Sequence, residues 1–336
     1  MITRRKIVIA LGAGALAPFA SLAPLAGFAQ QQGKMRRIGI LLGYAESDPE
    51  AQLRLAAFKD RLAALGWTEG SNLKMDIRWT AADVNRASAF AKELVALQPD
   101  VILSNTTAVT AALQRETQTI PIVFTVVSDP VGSGFVKTLS RPGGNITGFI
   151  NFESSLIEKW LQLLKEIAPR VTRVAVMFNP DTAPFAEYYL QRVNSASAKL
   201  NVKTYTATVR SEFDIEKVIK ILGAKSGGGL VVMPDSYLFV HRKWIIAQAA
   251  RYNVPTIYYA GNMVVEGGLI SYGIELADLF RRAAPYVDRI LRGAKPTDLP
   301  VEQPTKYELF VNRNTVKALG LKIPDVIMLR TDKVID

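Results

Sequence analysis

One pattern constrains this 336-residue chain more than any other: from Arg36 onward, short β-branched runs alternate with helical stretches, and the whole series occurs twice. The first series predicts strands over residues 37–42 (RIGILL), 73–79 (LKMDIRW), 100–104 (DVILS) and 121–125 (PIVFT), with helices over 49–65, 85–97 and 108–116 between them. The second predicts strands over 173–178 (RVAVMF), 202–208 (VKTYTAT), 229–233 (GLVVM) and 255–259 (PTIYY). Its strands start 136, 129, 129 and 134 residues after their counterparts. Parallel strands need crossover connections, and helices usually supply them. A steady offset with a fixed element order therefore predicts an α/β chain of two similar lobes, each a parallel sheet flanked by helices, rather than one large sheet or a barrel.

The turn-rich stretch 141–148 (RPGGNITG) separates the two series and predicts that the chain crosses between lobes near 149–152. After Tyr259 come 267–272 (GGLISY), a helix over 275–291, then 301–304 (VEQP) and a strand over 307–311, too few elements for a third domain. The economical assignment gives residues 30–150 and 267–299 to the first lobe and 151–266 and 300–336 to the second. The chain then crosses three times, near 149–152, 262–267 and 299–304, and three crossings make a hinge.

Residues 3–29 (TRRKIVIALGAGALAPFASLAPLAGFA) carry three cations, then an uncharged apolar stretch, then small residues at Gly27 and Ala29. That order is a secretory signal, with cleavage expected after Ala29 and work done outside the cytoplasm. Arg4-Arg5 after Thr3 resembles a twin-arginine export signal. Residues 7–28 are long enough to span ~30 Å of hydrocarbon. Pro18, Pro24 and the small-residue ending favour cleavage over a retained anchor. Setting aside Arg4, Arg5 and Lys6 lowers the net charge from +11 to +8. The remaining Lys and Arg are dispersed, with no run of five, so no nucleic-acid-binding arm is expected.

In open parallel sheets, ligands bind beyond the carboxyl ends of the strands, where helix N-termini aim N–H groups outward. The residues that follow the strands are then the candidates: Tyr44, Asn105, Thr106, Thr107, Ser128, Asn179, Asp235 and Tyr259, with Phe152 from the first crossing. Asn105, Thr106 and Thr107 end a strand and open a helix, so their hydroxyls and backbone N–H groups suit a carboxylate and equally suit an N-cap. Asp235 is the second lobe's counterpart of Asn105. A carboxylate there, near the rings of Tyr44, Phe152 or Tyr259, suits an ammonium group. It equally suits a cap for a helix over 237–252. Tyr258 and Tyr259 alternate along a strand, so at most one faces the cleft.

No catalytic constellation accompanies these residues. The one histidine, His241, reads as a surface residue beside Arg242 and Lys243. The absence of cysteine excludes disulfides, thiolate zinc sites and Cys nucleophiles, and no GxxxxGK[ST] occurs. Neither a metal nor a cofactor is expected, and the one enzymatic alternative pairs Asp129 with Asp235 as acid and base.

Four stretches add a resemblance: 124–148 (FTVVSDPVGSGFVKTLSRPGGNITG), 267–273 (GGLISYG), 281–306 (RRAAPYVDRILRGAKPTDLPVEQPTK) and 312–324 (NRNTVKALGLKIP). Together they resemble the periplasmic substrate-binding proteins of ABC transporters, in the family that includes tryptophan and tyrosine binders, over about Arg36 to Asp336. The resemblance implies a type I periplasmic-binding-protein fold. It also implies a monomer that closes on a small organic solute, such as an aromatic amino acid or a related amide, and presents it to an ABC permease with a cytoplasmic ATPase subunit behind it. The same module could instead sense a ligand for a membrane receptor kinase, without transport.

Overall fold

The computed structural model describes residues 35–153 and 155–336; the proposed export signal lies outside them. Five parallel strands form the first sheet: β1 (Arg36–Leu42), β2 (Leu73–Trp79), β3 (Val101–Asn105), β4 (Ile122–Val127) and β5 (Ile146–Ile150), in the order β2-β1-β3-β4-β5. Helix α1 (Pro49–Ala64) packs against one face, whereas α2 (Val84–Ala96) and α3 (Thr107–Glu116) pack together on the other. Side chains explain the helix starts: the carboxylates of Asp48 and Asp83 accept the first free N–H groups of α1 and α2, and Pro49 suits the first turn of α1.

The second lobe opens with α4 (Leu156–Ile167) and continues through β6 (Arg173–Phe178), α5 (Ala186–Lys199), β7 (Lys203–Thr208), α6 (Glu212–Gly223) and β8 (Gly228–Val232). Two short helices, α7 (Ser236–Val240) and α8 (Arg242–Arg251), precede β9 (Thr256–Tyr258) and α9 (Gly261–Val265). The expected single helix over 237–252 is thus broken at His241, whose Nδ1 lies 2.9 Å from the Tyr237 carbonyl and whose half-buried ring stacks on that of Tyr237.

The last quarter of the chain visits both lobes. Strand β10 (Ile270–Gly273) pairs with β9 in parallel, α10 (Leu276–Leu291) packs on α1 and the first sheet, and β11 (Glu308–Asn312) returns antiparallel to β10. After α11 (Arg313–Ala318) and α12 (Asp325–Met328), β12 (Lys333–Ile335) completes a seven-stranded sheet ordered β12-β11-β10-β9-β8-β6-β7. Residues 270–273 therefore belong to the second sheet, with the turn 267–269 leading into it, and not to the first lobe as the sequence assignment had them. Helix α9 is only five residues long and turns the chain back beside its own sheet, so the second crossing falls after Gly273. Conversely, Val301 and Glu302 lie along the first sheet: Glu302 N–H donates to the Gly148 carbonyl and Ile150 N–H donates to the Glu302 carbonyl. The third crossing begins after them.

Candidate ligand-binding cleft

The carboxyl ends of β1, β3 and β4 face those of β6, β8 and β9 across a narrow cleft. Tyr44, Thr106, Thr107, Val126, Ser128 and Asn151 line it from the first lobe, and Thr182, Phe185, Pro234, Asp235, Ser236 and Tyr259 from the second. The cavity between them measures about 10 Å³. That is about one water's space, whereas small-molecule sites span roughly 300 Å³ and upward. The lobes are therefore shut: Tyr189 Oη donates to the Ser128 carbonyl at 2.9 Å, and the Tyr44 ring packs on Phe239 at 4.7 Å. A solute of amino-acid size can enter only if the lobes part.

On the first lobe the strand ends carry polar groups with unmet hydrogen-bonding capacity. Asn105 Oδ1 accepts from Gly43 N–H at 3.1 Å, but its buried Nδ2 has no partner. Thr106 sits at φ +77° and its buried Oγ1 also has no partner. Left-handed backbone at a non-glycine residue is strained, and here it is paired with Val126 at φ +57°; both side chains are β-branched, which makes the conformation costlier still. Each unsatisfied buried group costs about 1–3 kcal/mol. Strain and orphaned polar groups at one spot are what a site built for something other than stability looks like.

Asp235 holds the other lobe's polar end together. Its Oδ1 accepts from Thr182 Oγ1 at 2.5 Å and Tyr237 N–H at 2.7 Å, and its Oδ2 from Asn179 N–H at 2.6 Å. Burial pushes its carboxyl from 3.8 up to about 6, against the opposing pull of those hydrogen bonds. A carboxylate has about four lone-pair positions, and the Leu238 N–H adds a further backbone hydrogen bond, so the cap takes up most of its capacity. Burial also drives the Tyr259 phenol well above its ordinary value, with the nearby Tyr44 adding to the effect, so Tyr259 works as a neutral hydroxyl.

Of the nine sequence candidates, the cavity wall includes Tyr44, Thr106, Thr107, Ser128, Asp235 and Tyr259. Asn105 lies just behind it through Gly43. Asn179 serves the second lobe's turn, its Oδ1 accepting from Asp181 and Thr182 N–H. Phe152 packs into an aromatic cluster with Trp160, Phe185 and Tyr189, and meets the cleft only through Phe185. Tyr258 borders a separate cavity with Gly267 and Gly268, so Tyr259 alone of the pair faces the cleft. Asp129 is not in the wall; its carboxylate accepts from Gly132 N–H within its own turn. Ser236, which follows the same strand as Asp235, also lines the wall; the sequence reading missed Val126, Asn151, Thr182, Phe185 and Pro234. Thr182 was within reach, because Asn179-Pro180-Asp181 is a turn signature that folds the next residue back over Asn179. Among the described residues no cluster of His, Asp or Glu is placed to hold a metal ion, and no helix is long and apolar enough to cross a membrane.

Two α/β lobes with parallel sheets, joined by three crossings and facing each other at their strand ends, define a type I periplasmic-binding-protein fold. The chain belongs to the ABC transporter substrate-binding protein family, whose pattern it matches over residues 47–335. It is 26% identical to a tyrosine-binding protein of Clostridioides difficile (strain R20291), over 96% of this chain and 94% of that protein. A conserved domain protein of Vibrio cholerae superposes with a TM-score of 0.83 at 28% identity, over 90% of this chain and all of the other. A Streptococcus ABC domain in complex with L-Trp gives 0.82 at 24% identity, covering 89% and 99%. A ligand-free, open substrate binding protein of Clostridium difficile covers the same shares at 26% identity but gives only 0.65.

Proposed function

We propose that this protein captures a small organic solute, an aromatic amino acid or a related aromatic or amide compound, between its lobes and delivers it to an ABC permease. The observation that carries this reading is the pairing across one cleft of the unpartnered Thr106 hydroxyl, backed by Asn105, with a buried carboxylate at Asp235, between the rings of Tyr44, Phe185 and Tyr259. The first lobe's hydroxyls and N–H groups suit a carboxylate, the negative charge of Asp235 suits an ammonium, and the rings suit an apolar or aromatic side chain. The tyrosine-binding and L-Trp-bound relatives support that solute class. Delivery follows from the family's role: the protein acts in the periplasm as a monomer after loss of its N-terminal signal, and a membrane permease with a cytoplasmic ATPase takes over the solute.

Two measurements test the proposal. Mass spectrometry of natively purified protein identifies any retained solute, and a thermal-shift screen ranks free amino acids and aromatic acids. A ligand at a hundred times its Kd stabilises the folded state by about 2.7 kcal/mol, a readily measured rise in Tm. Asp235→Ala is expected to weaken an amine-bearing ligand strongly and a non-amine ligand much less. A screen with no hit among amino acids and aromatic acids refutes the solute class.

A further inference from the structure

Beside the cleft, the lobes also meet through a cluster of charges and rings that shares only Tyr44 with the cavity wall. Phe239 of the second lobe lies between two guanidinium groups, Arg54 of the first lobe at 4.4 Å and Arg242 of its own lobe at 4.3 Å from its centroid. Tyr44 of the first lobe packs on the same ring. Arg242 then reaches across the gap: it donates to Asp48 of the first lobe, while Glu266 of its own lobe accepts from its Nε and Nη2 at 2.8–3.0 Å.

The two arginines, each only 2% exposed, are not equivalent. Arg242 is held between two carboxylates. The carboxylate nearest Arg54 is Glu50, at 3.9 Å, and its buried Nη1 has no hydrogen-bond partner. Ring faces return part of what a cation loses on leaving water, and an unmet N–H leaves the rest unpaid. Asp48 ties the cluster to the first lobe's frame, because its Oδ1 caps α1 through Glu50 and Ala51 N–H while its Oδ2 meets Arg242.

We propose that this cluster is a balanced closure latch. The Asp48–Arg242 pair and the Phe239 stack hold the lobes together without solute, the burial of Arg54 opposes them, and their difference sets the open-to-closed ratio on which apparent affinity depends. The inference rests on the reading of the protein as a two-lobed solute receptor, but its test uses no solute, so a failed ligand search leaves it standing and a failed latch leaves that reading standing.

The experiment is single-molecule energy transfer on ligand-free protein, unfolded and refolded to strip any retained solute. Dyes are placed at Lys92→Cys on α2 and Lys220→Cys on α6, both exposed, in a chain with no cysteine of its own. Wild type is expected to show a closed population. Asp48→Asn keeps a capping oxygen for α1 but removes the charge facing Arg242, and is expected to shift the ratio about tenfold toward open. Arg54→Met removes the buried cation with its unpartnered Nη1 and keeps much of the volume, and is expected to shift it severalfold toward closed. Arg210→Ala, which breaks a surface ion pair with Asp181 within the second lobe, is expected to leave the ratio unchanged. A wild type with no closed population, or Asp48→Asn and Arg54→Met moving the ratio in the same direction or not at all, overturns the proposal.

Discussion

Asp235→Asn isolates the energetic consequence of placing a carboxyl in the cleft. In the folded protein burial holds its pKa at about 6, against an ordinary value of 3.8. At ~1.36 kcal/mol per pH unit, the folded state therefore disfavours the ionised form by about 3 kcal/mol relative to the unfolded chain. The sign follows from proton counting. Between those two values the folded protein holds a proton that the unfolded chain has released, so stability falls as pH rises. The contribution is fully present below about pH 3.8 and lost above about pH 6. Urea denaturation of wild type and Asp235→Asn, followed by the fluorescence of the four tryptophans at pH values across that window, gives the difference directly. Wild-type stability minus variant stability is expected to decline by about 3 kcal/mol from low to high pH. A difference that stays flat, or that rises with pH, refutes the argument that desolvation outweighs the hydrogen bonds Asp235 accepts. A solute ammonium at Asp235 favours the ionised form, so binding near pH 5–6 is expected to release a proton, seen as a dependence of the calorimetric heat on the buffer's own ionisation enthalpy.

Other outcomes follow from local geometry. Gly148 sits at φ +151°, and a Cβ there would meet the Phe124 carbonyl oxygen at 2.1 Å, so Gly148→Ala is expected to cost about 3 kcal/mol or more, whereas Gly144→Ala, with open space around it, is expected to leave Tm nearly unchanged. Tyr189→Phe removes a hydrogen bond between the lobes and is expected to raise the Kd for the retained solute by about twofold to tenfold in titration calorimetry. N-terminal sequencing of the exported protein is expected to begin at Gln30, the residue after the small-residue site at Ala29.

The fold was legible because its signal is repeated and local. A strand such as 173–178 announces itself by β-branched residues buried on both faces, and its predicted bounds coincide with those of β6. Crossings are harder to read, because they depend on which sheet offers a free edge. The run 267–273 has strand character in either lobe, and nothing in its residues says that β9 is its neighbour until both elements are placed. The cleft divides in the same way. Residues directly after strands were found by a positional rule, which is why Tyr44, Thr106, Asp235 and Tyr259 were reached and Phe185, from the start of a helix, was not.

The positional rule could not find the latch, for a physical reason. Arg54 and Phe239 lie inside helical segments, where an arginine reads as a solvated face and a phenylalanine as core. Each reading is sound for its lobe taken alone, whereas with the lobes together Phe239 of the other lobe lies against the Arg54 guanidinium. A residue whose burial depends on the approach of a second rigid body leaves no period in its own sequence. The parts that move thus carry the weakest pattern, and the unmet hydrogen-bonding group on Arg54 marks them more clearly than any motif. The same logic explains why Asn105 and Thr106, with their orphaned polar atoms at a strained turn, identify the cleft better than Asp235, whose hydrogen bonds are nearly complete within its own lobe.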